Sequence, residues 1–302
     1  MPTIAVLGPG GVGGFLAAAL ARAGEEVVVV AREITPDRIE VQSVRLGDFV
    51  ASPPMHAVLE EPIEVLLVAT KARGLVPALE RIRATPGLVV PLLNGLDHME
   101  VLRERFGADR VAAGTIRIES DRPAPGKIVQ TSPFLRVDLA AEDPALAPRL
   151  HALAASLERA GIPATVSGNE AQILWSKLVR LNALACTTSA ADKPVGFIRS
   201  NAEWRAALEG CIHEAAAVAN ADGAHIDPAT AIAELDDAHP ELGSSMQRDI
   251  AAGREPELDA IPGAVLRAAQ RHGLQCPTIA DLKGQIAGRL GPLSVDAAQH
   301  RG

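Results

Sequence analysis

One glycine-rich turn, set between an apolar strand and an apolar helix, constrains this chain more than any other feature. Thr3 to Leu7 reads as a strand, Gly8-Pro9-Gly10-Gly11-Val12-Gly13-Gly14 follows, and a helix opens directly behind it. The glycines of a G-x-G-x-x-G turn have separate physical roles. Gly8 permits the tight bend, Gly10 lets the backbone approach a pyrophosphate, and Gly13 lets the helix pack close to the strand. The helix N-terminus adds unpaired N–H groups and the positive end of its dipole. Gly8, Pro9, Gly10, Gly11, Val12 and Gly13 are therefore the expected cradle for a dinucleotide. A second strand, Glu26 to Ala31, ends in Arg32. An acidic residue there suits the ribose of NAD. An arginine suits the 2′-phosphate of NADP, which its guanidinium fork can grip in a bidentate way. NADP (as NADPH) is the expected cofactor, with a solvated strand-end charge as the plain alternative.

Two domains fit 302 residues better than one. Aromatic residues make up only 2% of the chain and tyrosine is absent, so aliphatic and alanine packing must fill the cores. A formal net charge of −8 argues against a nucleic-acid partner, though it leaves room for a local basic pocket. Cys186, Cys211 and Cys276 are scattered, with no C-x-x-C pair or histidine cluster, so neither a metal site nor a disulfide framework is expected. The apolar N-terminus lacks a basic leader and is broken by the glycine turn. No stretch is long and apolar enough to span a bilayer. These features suit a cytoplasmic protein with no membrane partner.

Strand-like and helical runs alternate over the first half: Glu64 to Ala69, Leu75 to Ala84, Leu88 to Leu93, His98 to Phe106. Continuous apolar strands alternating with helices predict a doubly wound, mainly parallel sheet covered on both faces. Short β-like runs at Val111 to Ile118, Lys127 to Gln130 and Leu135 to Leu139 predict an antiparallel or edge extension. Pro144 to Ala160 reads as a helix and Pro163 to Val166 as a last strand. Beyond Gly168 only helical periodicity remains, at Asn169 to Thr188, Asn201 to Ala221, Pro228 to Ala238 and Glu257 to His272. The expectation is an α/β domain over residues 1–168 and an all-helical C-terminal domain over 169–302, with the last ~15 residues loosely held.

Lys71 and Asn94 each follow a strand, at the carboxyl edge where open α/β sheets bind ligands. A surface lysine and an Asn-Gly turn account for them equally well. Lys177 sits in an otherwise apolar helix, with Leu181, Leu184, Ala185 and Thr188 on its face. Such a lysine either reaches out to solvent or projects into a cleft, where desolvation makes it a better proton donor. Ser244-Ser245-Met246-Gln247-Arg248-Asp249 and Glu257-Leu258-Asp259 are dense in hydroxyls and charges, which a solvated turn also explains.

Taken together in order and spacing, several elements resemble the ketopantoate reductase family over nearly the whole chain. They are the glycine turn with Arg32; Lys71; Leu93-Asn94-Gly95-Leu96; Pro125-Gly126; Leu174-Trp175-x-Lys177-Leu178; Pro194-x-Gly196; and Ser244-Ser245-Met246-x-x-Asp249 leading to Glu257-x-Asp259. The resemblance implies a Rossmann-type NADPH domain, a helical substrate domain and a small 2-oxo acid as substrate, ketopantoate by default, in pantothenate biosynthesis. It implies Lys177 as general acid and Glu257 as the group that orients it. It implies Asn94 and Lys71 at the nicotinamide and substrate, and Ser245 on the substrate carboxylate. A homodimer is compatible with all of this.

The departures are as informative. Where the family usually carries asparagines on the lysine's helical face, this chain has Leu181 and Ala185, and Leu242 stands just before the serine pair where another is common. Asn182, one residue past Leu181, is kept as a candidate substrate contact, although it points roughly 100° away round the helix. Each missing amide removes about 0.5–1.5 kcal/mol of potential hydrogen bonding. The same chemistry on a more hydrophobic 2-oxo acid or ketone is therefore a second reading. A non-catalytic NADP-binding protein is the alternative outside enzymes, and Lys177, Asn94 and Glu257 together argue against it.

Overall fold

Alternation along single strands shows how the first half is built. A computed structural model describes residues 3–32 and 38–290; the tail after Leu290 lies outside them. Strand β1 (Ile4–Leu7) leads through the glycine turn to helix α1 (Gly11–Arg22) and strand β2 (Val27–Val30). Strands β3 (Ile39–Ser43), β4 (Phe49–Ala51), β5 (Met55–His56) and β6 (Val65–Val68) follow. Next come α2 (Leu75–Leu79), β7 (Leu88–Pro91) and α3 (His98–Phe106). Ile4 and Val6 enter one apolar core with Phe15, Leu16 and Leu20 of α1, while Ala5 and Leu7 enter another with Leu75, Leu79 and Leu102. A strand whose successive side chains are both buried needs helices on both faces, and the sheet has them.

That sheet is wholly parallel, in the order β5-β2-β1-β6-β7. Its topology reverses between β1 and β6: the chain runs outward through β2 and β5, then returns to the other side of β1. Ligand crevices form at the carboxyl ends of strands at such a switch. The expected extension is present as β8 (Ala113–Arg117), β9 (Ser120–Ala124), β10 (Lys127–Gln130) and β11 (Arg136–Ala140), with helix α4 (Ala147–Arg159) and strand β12 (Ala164–Ser167). β8 runs antiparallel to β11 and β9 antiparallel to β10, while β12 joins β11, and β10 joins β3, in parallel.

Two details of the first half differ from the sequence-based expectation. Strands β3 to β5 went unassigned, being short and, in β3, interrupted by Glu40 and Gln42 on the outward side. Helix α2 ends at Leu79 rather than near Ala84, because the next backbone groups bond across to Leu59: Leu59 N–H reaches Arg81 O at 2.8 Å, and Arg83 N–H reaches Leu59 O at 2.9 Å.

The remainder is helical: α5 (Glu170–Ala191), α6 (Val195–Ser200), α7 (Ala202–Ala221), α8 (Pro228–Asp236), α9 (Ser245–Ala251), α10 (Ala264–Arg271) and α11 (Pro277–Leu290). The chain divides into compact units Met1–Leu174 and Trp175–Gly302, so α5 begins in one and continues in the other. In the second unit α7 packs against α6, α8, α10 and α11, its small Ala215, Ala216 and Ala219 buried. Glu214 of α7 accepts from the N–H groups of Thr278 and Ile279 at 2.8 and 3.0 Å, capping α11, a helix not foreseen. The three cysteines are buried and free, and contact with Cys186 together with burial pushes the Cys211 thiol well up.

The run from Glu257 opens with a π-turn over Asp259–Gly263 instead of a plain α-helix. Pro262 has no N–H to give the Leu258 carbonyl four residues back. Gly263 supplies it instead at 3.0 Å, five residues on, and α10 continues from there.

Helix α4 is fixed to the first unit by one buried carboxylate. Glu25, between α1 and β2, accepts from Ser156 Oγ at 3.1 Å and Arg159 Nε at 2.8 Å. The Glu25 side chain is fully buried whereas Arg159 is half in water, so screening discounts the pair. Arg159→Ala should lower stability by about 1–3 kcal/mol, read by urea unfolding followed by circular dichroism. Adding Glu25→Gln should recover part of that loss, since no buried charge is then left alone.

Candidate active site

The glycine turn occupies one side of the sheet's switch point. Gly8 holds φ +93°, a left-handed conformation costly for any residue with a Cβ. A Cβ on Gly13 would lie 2.1 Å from the Gly8 carbonyl oxygen, so only glycine lets α1 start so close to β1. A Cβ on Gly11 would lie 2.3 Å from the Ser120 carbonyl oxygen, and Ser120 Oγ donates to Gly11 O at 2.9 Å. The start of β9 thus lies over the turn, a neighbour not read from the sequence; the extra glycine beyond the fingerprint was its only trace. Gly10 is different, since a Cβ there would meet nothing within 4 Å.

Gly10 is also the N-cap of α1 and offers no side-chain cap, so the first-turn N–H groups have no partner from that residue. Thr70 packs against the turn from the tip of β6, and its buried Oγ1 lacks a hydrogen-bond partner. Open space at Gly10, an uncapped helix start and an orphaned hydroxyl fit a dinucleotide pyrophosphate. Pro9 and Val12 are half-buried within the same turn, and Arg32 is exposed just past β2.

Lys71 and Asn94 follow the neighbouring strand tips of β6 and β7. These ends are held in step by the Leu92 N–H, which donates to Val68 O at 2.8 Å. Lys71 is exposed and Asn94 is half-buried, followed by Gly95 in a left-handed turn at φ +88°. Both therefore stand at the carboxyl edge, on the same side as the glycine turn.

In the second unit, α5 organises the remaining candidates. Lys177 is half-buried, as is Leu181 one turn on, whereas Leu184 and Ala185 are buried. Three turns from Lys177, Thr188 Oγ1 donates to Ser244 Oγ at 2.9 Å, and Ser244 in turn accepts from Gln247 N–H at 3.0 Å as the N-cap of α9. Ser245, the first residue of α9, follows Ser244 and is half-exposed. The Pro194-x-Gly196 segment bonds alongside: Val195 N–H to Leu242 O at 2.8 Å, Gly196 N–H to Pro240 O at 2.9 Å. Buried Asp249 pairs with Arg254 Nε at 2.8 Å, shaping the loop that leads to half-buried Glu257. Asp259 is largely exposed and pairs with Arg267 at 2.7 Å.

Asn182 does not stand where a substrate contact is expected. It is fully buried, its Oδ1 meets the Cys186 thiol at 3.5 Å, and its Nδ2 has no partner. The rotation of one residue from Leu181 turns it inward. Sequence reasoning also missed Asp222, whose carboxylate accepts from Trp175 Nε1 at 2.8 Å. A lone aspartate ending a helix carries no motif that would have marked it.

Among the described residues no group of three histidine, cysteine or acidic side chains is placed to hold a metal, and no helix is long and apolar enough to cross a membrane.

Comparison with known proteins identifies the family. Residues 4–141 match the family model described as ketopantoate reductase PanE/ApbA, and residues 169–288 match that of its C-terminal part. A 2-dehydropantoate 2-reductase from Caulobacter vibrioides is 29% identical over 286 residues, 92% of this chain and 95% of that protein. The crystal structure of a 2-dehydropantoate 2-reductase from Geobacter metallireducens has a TM-score of 0.88 at 26% identity, covering 95% and 99% of the two chains. A ternary structure of D-mandelate dehydrogenase with NADH and anilino(oxo)acetate has a TM-score of 0.85 at 19% identity over 95% and 98%, a likeness of fold alone. The chain belongs to the ketopantoate reductase family, oxidoreductases acting on a CH–OH group.

Proposed function

We propose that the protein uses NADPH to reduce a small 2-oxo acid to the 2-hydroxy acid, ketopantoate to pantoate being the leading reaction. The observation that carries this reading is the glycine turn with open space at Gly10, on a chain that also keeps Lys177 half-buried on an apolar helix. A bound nicotinamide supplies the hydride. The turn from Gly8 to Gly13 holds the pyrophosphate, and Arg32 takes the 2′-phosphate. Asn94 and Lys71 orient nicotinamide and substrate at the strand tips, and Ser245 donates to the substrate carboxylate. Negative charge then develops on the former carbonyl oxygen, where the Lys177 ammonium stabilises it and delivers the proton from Nζ. Glu257 keeps that ammonium charged and directed, since a nearby carboxylate offsets desolvation. We read the protein as cytoplasmic and as acting on this small molecule without nucleic acid or membrane.

A second reading is favoured by one observation. Leu181 occupies the half-exposed position one turn from Lys177, while Asn182, the nearest amide, is turned into the interior. With half-buried Leu242 also apolar, the acceptor is a 2-oxo acid with a hydrophobic side chain. Two absent amides weaken a hydroxylated substrate between about five-fold and a hundred-fold.

A steady-state panel of ketopantoate, phenylpyruvate and 4-methyl-2-oxopentanoate, each with NADPH and NADH, tests both readings; no turnover of any would refute both. Lys177→Ala should cut kcat by on the order of 10² with NADPH affinity nearly unchanged. Arg32→Asp should shift preference toward NADH in the same assay. Gly10→Ala should fold normally yet bind NADPH weakly in a fluorescence titration, whereas Gly13→Ala should also lower the melting temperature. Leu181→Asn should raise kcat/KM for ketopantoate relative to the branched and aromatic acids.

A further inference from the structure

Asp222 stands in an electrostatically adverse place. It follows α7 directly, its N–H bonded to Val218 O at 2.9 Å and Ala219 O at 3.1 Å, so its carboxylate sits at the negative end of that helix dipole. Its Oδ1 lies 2.8 Å from Nε2 of His272, the residue ending α10, with the Arg271 guanidinium at 4.0 Å. Its Oδ2 accepts from the indole N–H of Trp175 at 2.8 Å. One carboxylate thus joins the ends of α7 and α10 to α5, and Trp175 is fully buried.

Trp175 and Lys177 are two residues apart on α5, about 200° round the helix. Fixing the indole on one face therefore fixes the direction of the lysine on the opposite face. A buried tryptophan held by packing alone can shift along its pocket, while one tied through its N–H to a clamped carboxylate cannot roll. The far end of the helix is fixed separately, by Thr188 on Ser244 at 2.9 Å and by Arg289 Nη1 on Ser189 O at 3.0 Å.

We propose that Asp222, braced by His272, is a positioning residue that sets the rotation of α5 through Trp175 and so aims the Lys177 ammonium. This rests on the reading of Lys177 as the proton donor, so its test includes a readout that needs no turnover. The lysines of the chain are Lys71, Lys127, Lys177, Lys193 and Lys283, few enough for each to be followed by NMR after reductive methylation with 13C-formaldehyde. The Lys177 signal is assigned by its loss in Lys177→Ala.

Asp222→Ala should displace the Lys177 resonance while leaving those of Lys71 and Lys127 in place. It should lower kcat for the preferred 2-oxo acid at least ten-fold, with the NADPH dissociation constant within three-fold of wild type. Asp222→Asn keeps an oxygen for the indole and should restore kcat to within three-fold. If Asp222→Ala does not fold, Trp175→Phe, which removes only the donor and part of the ring, carries the same expectations. A folded variant with an unmoved Lys177 resonance and wild-type kcat overturns the proposal, as does Asp222→Asn proving no better than Asp222→Ala. A wild-type protein that reduces no 2-oxo acid overturns the functional reading instead, and the resonance alone then decides the positioning role.

Discussion

The first unit depends on how closely α1 can approach β1. A single methyl group on Gly13 would fall 2.1 Å from the Gly8 carbonyl, far inside van der Waals contact. The helix could then enter only by shifting away from the strand, and Phe15, Leu16 and Leu20 would leave the core they share with Ile4 and Val6. With aromatics at 2% of the chain, Phe15 is an exception in a core filled mainly by aliphatic and alanine side chains. The same close approach leaves the helix start uncapped and the space at Gly10 open. Packing and binding capacity come from one backbone geometry.

The second unit solves a different problem. A single helix, α5, presents the reactive candidate, so its axis and roll must both be held. Its two ends meet different partners: Asp222 on Trp175 early, Ser244 on Thr188 and Arg289 on the last carbonyls late. Alanine-rich α7 lies close to several neighbours at once because its side chains are small. Polar contacts then choose among the many ways in which smooth helices could slide past one another.

Much of this was legible in the residues because it follows from local rules. Unbroken apolar runs give away β1, β2, β6 and β7, and the glycine spacing gives away the turn between β1 and α1. Legibility failed where a non-local partner decided the outcome. Leu59 claims the backbone after α2, and Pro262 shifts a hydrogen bond by one residue. The Lys177 region shows both cases. Its apolar face and the inward turn of Asn182 follow from a 100° step per residue, whereas the link from Trp175 to Asp222 joins positions 47 apart and leaves no periodic trace.

The π-turn at Pro262 has a structural consequence of its own. One wide hydrogen-bonded ring adds a residue to the helical phase, so whatever precedes it is offset in azimuth from whatever follows. Ala260, Ile261, Pro262 and Gly263 of the turn and Val265, Ala268 and Ala269 of α10 all remain buried across that offset. The interior thus accommodates a change of helical phase within a single turn.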